Sequence, residues 1–143
     1  MSNAILLVED NATDEKLTLR VFKMSNLQNE VVIVRDGREA LDYLLGSERG
    51  REPKELPALV LLDLDLPRVS GLEVLRRVRA DQRARYLPIV ILSVSKEEED
   101  VVSGYALGAN AYVRKPVEFA AFTDAVRTLG LFWQLLKEPL VAS

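Results

Sequence analysis

Five short apolar runs punctuate the chain, at residues 4–8, 31–34, 58–62, 88–92 and 111–113. All but the last are near-continuous in valine, isoleucine, leucine and alanine rather than alternating, the pattern of parallel strands covered on both faces. Longer segments of helical period lie between them. Leu17, Val21 and Met24 mark one apolar stripe. Asp36 opens Asp-Gly-Arg-Glu, a capping-box start with Glu39 at the reciprocal position, ahead of Leu41, Leu44 and Leu45. Leu72, Leu75 and Val78 mark a third helix beginning near Gly71. Val101 with Tyr105, and Val102 with Ala106, mark a fourth, ended by Gly108. Phe122, Val126, Leu129, Trp133 and Leu136 mark a last helix reaching to about residue 137.

The order βαβαβαβαβα predicts a parallel sheet sandwiched between helices, with few topologies open once crossovers are right-handed. Ligands of such sheets bind beyond the carboxyl ends of the strands, where strand order reverses. Function is therefore expected just after Val8, Leu62, Leu92 and Val113. The insert at residues 46–57, rich in Arg, Glu, Lys and Pro, reads most simply as a solvated connection, with partner contact as the alternative.

The 143 residues suit one domain. A net charge of −3 offers no basic field for nucleic acid or an anionic membrane. No apolar run approaches the ~20 residues that cross a bilayer, and the N-terminus lacks signal-peptide character, so a cytoplasmic location is expected. Cysteine and histidine are both absent, which excludes disulfides, thiolate or His-ligated zinc, a Ser-His-Asp triad and a phosphohistidine. Any chemistry falls to carboxylates, hydroxyls, lysine and an oxygen-liking metal.

The strand ends carry that set. Glu9 and Asp10 follow the first strand, Asp63 ends the third with Asp65 two residues on, Ser93 ends the fourth, and Lys115-Pro116 ends the fifth. Clustered carboxylates want a hard cation such as Mg²⁺, Mn²⁺ or Ca²⁺. A phosphoryl group is what wants a metal, an ammonium and a hydroxyl together, and a carboxylate can accept one covalently. Taken singly, each residue has a plainer reading as a solvated acid, a turn or a helix cap. Their joint placement at four strand ends is the signal.

Val8-Glu9-Asp10-Asn11, Leu61-Leu62-Asp63-Leu64-Asp65-Leu66-Pro67 with Gly71, Ile91-Leu92-Ser93, and Gly108-Ala109-Asn110-Ala111-Tyr112-Val113-Arg114-Lys115-Pro116 resemble, in order and spacing, the motifs of response-regulator receiver domains. The resemblance runs from about residue 4 to 129 and implies a flavodoxin-like, doubly wound five-stranded sheet of order 2-1-3-4-5 with five helices, residues 1–143 forming a single receiver domain. It implies that Asp63 is the phosphoacceptor. Mg²⁺, for which Mn²⁺ or Ca²⁺ can substitute, would be held by Asp10 and Asp63, by Glu9 through water, and by the backbone carbonyl of Asp65. Lys115 would pair with the phosphoryl group, Ser93 would hydrogen-bond it, Tyr112 would change rotamer as a switch, and Pro116 would follow a cis peptide bond. The implied donor is a sensor histidine kinase or relay protein, and the only catalysis implied is self-directed phosphorylation and dephosphorylation.

Ser93 stands where threonine is commoner in the family, but it keeps the hydroxyl. Asp65 adds charge beside the phosphoryl position, so Asp65→Asn is expected to change the dephosphorylation rate. No output domain is expected in the short stretch after residue 129. The long insert, Leu92-Ser93-Val94-Ser95 and Leu131-Phe132-Trp133-Gln134 resemble the stand-alone regulators paired with bacterial phytochromes. The apolar surplus of Leu131, Phe132, Trp133, Leu135 and Leu136 has two readings, packing into the core of its own domain or burial against a second copy, and the second gives a homodimer. The face around residues 101–105, Tyr112 and the last helix would signal to a downstream protein not identifiable from sequence. Two rival readings compete with this one: a Mg²⁺-dependent Asp-x-Asp phosphatase, and a phosphorylation-independent binding module. Asp63-Leu64-Asp65 follows the third strand rather than the first and leads to Leu66-Pro67, against the phosphatase. Retention of Glu9, Asp10, Asp63, Ser93 and Lys115 speaks against the binding module.

Overall fold

Five parallel strands stand in the order β2-β1-β3-β4-β5 in the computed structural model, which describes residues 2–46 and 54–129. The elements alternate strictly: β1 (Ile5–Val8), α1 (Ala12–Met24), β2 (Val31–Val34), α2 (Gly37–Leu45), β3 (Leu59–Asp63), α3 (Gly71–Ala80), β4 (Ile89–Ser93), α4 (Lys96–Gly104), β5 (Ala111–Arg114) and α5 (Phe119–Thr128). This is the expected doubly wound sheet with five helices. The proposed extension of α5 to residue 137 and the tail with Trp133 and Leu136 lie outside the described residues, as does most of the insert at residues 46–57.

Alternation of side chains across the pleat explains why the strands read as unbroken apolar runs. Leu6, Val8, Val60, Leu62, Ile89 and Ile91 pack beneath α2 and α3 with Leu41, Leu44, Val74, Leu75 and Val78. Ile5, Leu7, Leu59, Leu61, Val90 and Leu92 pack on the other face against α1 and α5 with Val21, Phe22, Phe122 and Val126. The Phe22 and Phe122 rings, 5.0 Å apart, lock α1 to α5.

Capping places the helix starts close behind the strand ends. Asn11, Asp36, Ser70 and Ser95 each accept a hydrogen bond from the backbone N–H three residues on, at Asp14, Glu39, Glu73 and Glu98. Glu39 reaches back to the N–H of Arg35 (3.1 Å), one residue earlier than a capping box requires, and Glu98 likewise to Val94 (2.9 Å). At the end of α2, Arg83 donates to the Leu44 carbonyl (2.9 Å), supplying from a distant loop the positive charge that the last turn lacks.

Three expectations from the pattern need correction. The buried face of α1 is Thr18, Val21 and Phe22, and Met24 is 56% exposed; the larger Phe22 wins the core and turns Met24 outward. Helix α4 stops at Gly104, because Ala106 takes a left-handed φ of 52°, so the break comes before Gly108. Of the two stripes read on α4, Val102 is buried while Val101 and Tyr105 are exposed. In addition, β3 and β4 each begin and end one residue later than the pattern suggested, which makes Asp63 and Ser93 the last residues of their strands.

Candidate functional site

Strand register assembles the site. Val8 of β1 is the partner of Leu62 of β3, so the residues that follow, Glu9 and Asp63, emerge side by side. The ladder continues past β1 through the Glu9 N–H to the Val34 carbonyl (3.0 Å), and past β5 through the Lys115 N–H to the Ser93 carbonyl (2.8 Å). The Lys115–Pro116 bond is cis. Glycine at 71 is a steric requirement of the same loop. A Cβ there would fall on the Asp63 carbonyl oxygen and within 2.7 Å of the Leu64 Cα, while the Gly71 N–H donates to the Leu64 carbonyl (3.0 Å).

The Lys115 ammonium sits among three carboxylates, 3.1 Å from Glu9 Oε1, 3.1 Å from Asp63 Oδ2 and 2.9 Å from Asp14 Oδ2. Asp63 is buried, and its Oδ1 accepts the Asp65 N–H at 3.2 Å. Burial pushes the Glu9 carboxyl up to about 7, reinforced by a hydrogen bond with Asp63 and by its charge, and opposed by Lys115. Burial pulls the Lys115 ammonium down, but the hydrogen bonds to Asp14 and Glu9 and the charges of Asp63 and Glu9 outweigh it, so its pKa stands above the ordinary lysine value.

Ligand oxygens of Glu9, Asp10 and Asp63 all lie within 4.8 Å of one another. Glu9 Oε1 is buried and meets the Lys115 ammonium at 3.1 Å as an ion pair, without the geometry of a hydrogen bond. Three clustered carboxylates with one ammonium among them leave a surplus of negative charge on hard oxygens, which fits a divalent cation such as Mg²⁺. The Asp65 side chain is exposed, and its backbone N–H meets the cluster at Asp63 Oδ1.

Ser93 is brought to the same edge, but its hydroxyl is engaged elsewhere. Completely buried, it donates to Glu99 Oε2 on α4 at 2.8 Å. Arg114 grips the same oxygen through Nε (3.1 Å) and Nη2 (3.0 Å). Tyr112 on β5 shares a 2.9 Å hydrogen bond with Ser103, one helical turn beyond Glu99. Asp14, Glu99 and Arg114 were not singled out in the sequence. Only Asp14 left a trace there: it stands at the N3 position of a helix that starts immediately after Glu9-Asp10.

Residues 5–127 match the response regulator receiver domain family. This chain belongs to that family. The receiver chain is similar to the response regulator Rcp1 of Synechocystis sp., with 36% identity over 90% of this chain and 87% of the relative. Among solved structures it resembles the bacteriophytochrome response regulator RtBRR (53% identity, TM-score 0.85, covering 97% of this chain and 84% of the other). It resembles equally the bacteriophytochrome response regulator AtBRR (51% identity, TM-score 0.85, 96% and 99% covered). Rcp1 has been solved with Mn²⁺ bound, in a structure 35% identical to this chain (TM-score 0.71, 98% and 99% covered). Among the described residues of this receiver, no helix is long and apolar enough to cross a membrane.

Proposed function

We propose that Asp63 accepts a phosphoryl group from a sensor histidine kinase, and that the receiver then changes conformation to signal to a protein partner. The observation that carries this reading is the placement of one buried carboxylate, Asp63, 3.1 Å from the Lys115 ammonium and within the Glu9–Asp10–Asp63 oxygen cluster. The 143 residues hold no histidine, so a phosphohistidine donor lies outside them. A carboxylate oxygen of Asp63 forms the new bond to phosphorus as the phosphorus–nitrogen bond of the donor phosphohistidine breaks. Lys115, released from Asp63 as that carboxylate becomes an acyl phosphate, neutralises charge on the phosphoryl oxygens. Mg²⁺ would be held by Asp10 and Asp63, by Glu9 through water and by the Asp65 carbonyl, with Mn²⁺ able to replace it. When bound, the ion supplies the positive charge that lets an anionic carboxylate approach an anionic phosphoryl group. Attack of water on phosphorus breaks the bond to the Asp63 carboxylate oxygen and releases inorganic phosphate, which returns Asp63 to its free form, so the receiver's catalysis acts on itself.

The likeness to RtBRR and AtBRR supports a bacteriophytochrome kinase as the donor. Incubation with acetyl phosphate and Mg²⁺, followed by intact mass measurement, tests the site. The wild-type chain gains one phosphoryl group, labile to hydroxylamine, and Asp63→Asn gains none. Modification of Asp63→Asn at the wild-type rate would exclude Asp63 as acceptor. Phosphotransfer from a purified bacteriophytochrome kinase, absent with an unrelated kinase, tests the partner.

A further inference from the structure

We propose that Glu99 is a positioning residue that latches the Ser93 hydroxyl away from the phosphoacceptor, with Arg114 holding the latch shut. The inference rests on Asp63 being the acceptor.

A serine hydroxyl has one proton to donate, and Ser93 gives it to Glu99 Oε2 at 2.8 Å. It cannot at the same time donate to a phosphoryl oxygen on Asp63. Ser93 is completely buried, so the hydroxyl leaves Glu99 only when another acceptor replaces it; an unpaired donor there carries the full desolvation penalty. An acyl phosphate on the neighbouring strand is such an acceptor, anionic like the carboxylate it replaces. The two states thus exchange one charge-assisted hydrogen bond for another, which keeps their energies close and the equilibrium responsive.

Arg114 makes the latch more than a chance contact. It is the register partner of Ser93 across the β4–β5 ladder, and both of its donors converge on the oxygen that Ser93 uses. The grip also reaches helix α4. Val102 is the buried apolar anchor of that helix among the described residues, and the remaining side-chain ties to the sheet are Glu99 to Ser93 and Arg114, and Ser103 to Tyr112. Glu99 and Ser103 are four residues apart, on one face. Withdrawal of Ser93 therefore removes one of the few bonds fastening α4 and couples the state of Asp63 to that helix.

Beryllofluoride, an acyl-phosphate mimic, tests the latch when titrated in excess Mg²⁺ against the wild type, Glu99→Ala, Ser93→Ala and the double variant. Opening the latch raises the binding-competent fraction, so Glu99→Ala is expected to bind about 3- to 10-fold tighter than wild type. Ser93→Ala should bind more weakly, and adding Glu99→Ala to it should change nothing further, because the latch then has nothing to hold. Glu99→Gln, which keeps an acceptor but loses the charge that Arg114 grips, should fall between wild type and Glu99→Ala, and decides the matter if Glu99→Ala does not fold. Equal affinity of the wild type and the Glu99 variants, or the same gain with and without Ser93, overturns the proposal while leaving Asp63 as acceptor. Failure of the wild type itself to bind beryllofluoride overturns the phosphoacceptor reading and this inference with it.

Discussion

Asp14 and Lys115 are joined by a 2.9 Å ion pair that links the first turn of α1 to the end of β5. Lys115 is also 3.1 Å from Asp63 Oδ2, so Asp14 competes with the acceptor for the ammonium. Loss of the Asp14 charge leaves Lys115 to Glu9 and Asp63, where it opposes an incoming cation, and removes one negative charge from the neighbourhood. Both effects have the same sign. Asp14→Asn is expected to weaken Mg²⁺ binding by about 3- to 10-fold, a charge effect of about 1 kcal/mol for a partly solvated group. Calorimetric titration at moderate salt measures it, and unaltered affinity would reduce Asp14 to a bystander.

Gly71 carries a stability prediction of a different kind. Its missing Cβ is the space occupied by the Asp63 carbonyl and the Leu64 backbone, and backbone cannot rotate aside as a side chain can. Gly71→Ala must push the β3–α3 loop outward and with it the acceptor. A loss of about 1–3 kcal/mol is expected, as for other overpacked buried positions. Urea denaturation reads this directly. A substitution costing less than helix propensity alone would return is inconsistent with the close approach.

The strand ends were legible because chemistry there interrupts an apolar run: Asp63 after Leu59–Leu62 and Ser93 after Ile89–Leu92 stand out against what precedes them. Register then did the rest, since a parallel sheet of known order brings Glu9 beside Asp63 without further information. Helical polar residues offer no such contrast. Glu99 lies in Lys-Glu-Glu-Glu-Asp, which reads as a solvated face, and its orientation toward Ser93 depends on where α4 docks. Arg114 sits beside the recognisable Lys115-Pro116 and was overshadowed by it. The α1 stripe is ambiguous for a related reason. Leu17-Val21-Met24 and Thr18-Val21-Phe22 are both helical faces sharing Val21, and only the position of Phe122 on α5 chooses between them.

Arg79 was equally silent in the sequence, yet it ties three segments together. Its guanidinium donates to the carbonyls of Arg85 (3.0 Å), Leu87 (2.9 Å), Leu107 (3.0 Å) and Gly108 (2.8 Å), and to Asn110 Oδ1 (2.9 Å). Asn110 Oδ1 in turn accepts the Ile89 N–H at 2.8 Å. Arg79 thereby fixes the end of α3 to the entrances of β4 and β5, at the edge of the sheet opposite the acids. Arg79→Ala is expected to cost about 2–3 kcal/mol through partners left unsatisfied. Arg79→Lys should recover less than half of that, because a point ammonium cannot span the fork. Thermal melts of the two variants check the order, and a lysine variant as stable as wild type would contradict the fork argument.

Acid titration of the site should have a sign opposite to that of an ordinary paired carboxylate. The Glu9 carboxyl is raised from 4.5 to about 7 by burial and by Asp63. Between those values the folded receiver binds a proton that the unfolded chain does not. The contribution of Glu9 to stability is therefore complete below about pH 4.5 and is lost as pH rises through about 7. Cation binding runs the other way. The carboxylate must be free of its proton to join Asp10 and Asp63, so Mg²⁺ affinity should rise with pH up to about 7 and level off above it. At pH 6 each bound Mg²⁺ should release close to one proton, visible as a dependence of the calorimetric enthalpy on the ionisation enthalpy of the buffer. Glu9→Gln removes the titrating group, so its weaker Mg²⁺ binding should be flat between pH 6 and 8. Persistence of the wild-type pH slope in that variant would place the proton on another group and disprove the assignment to Glu9.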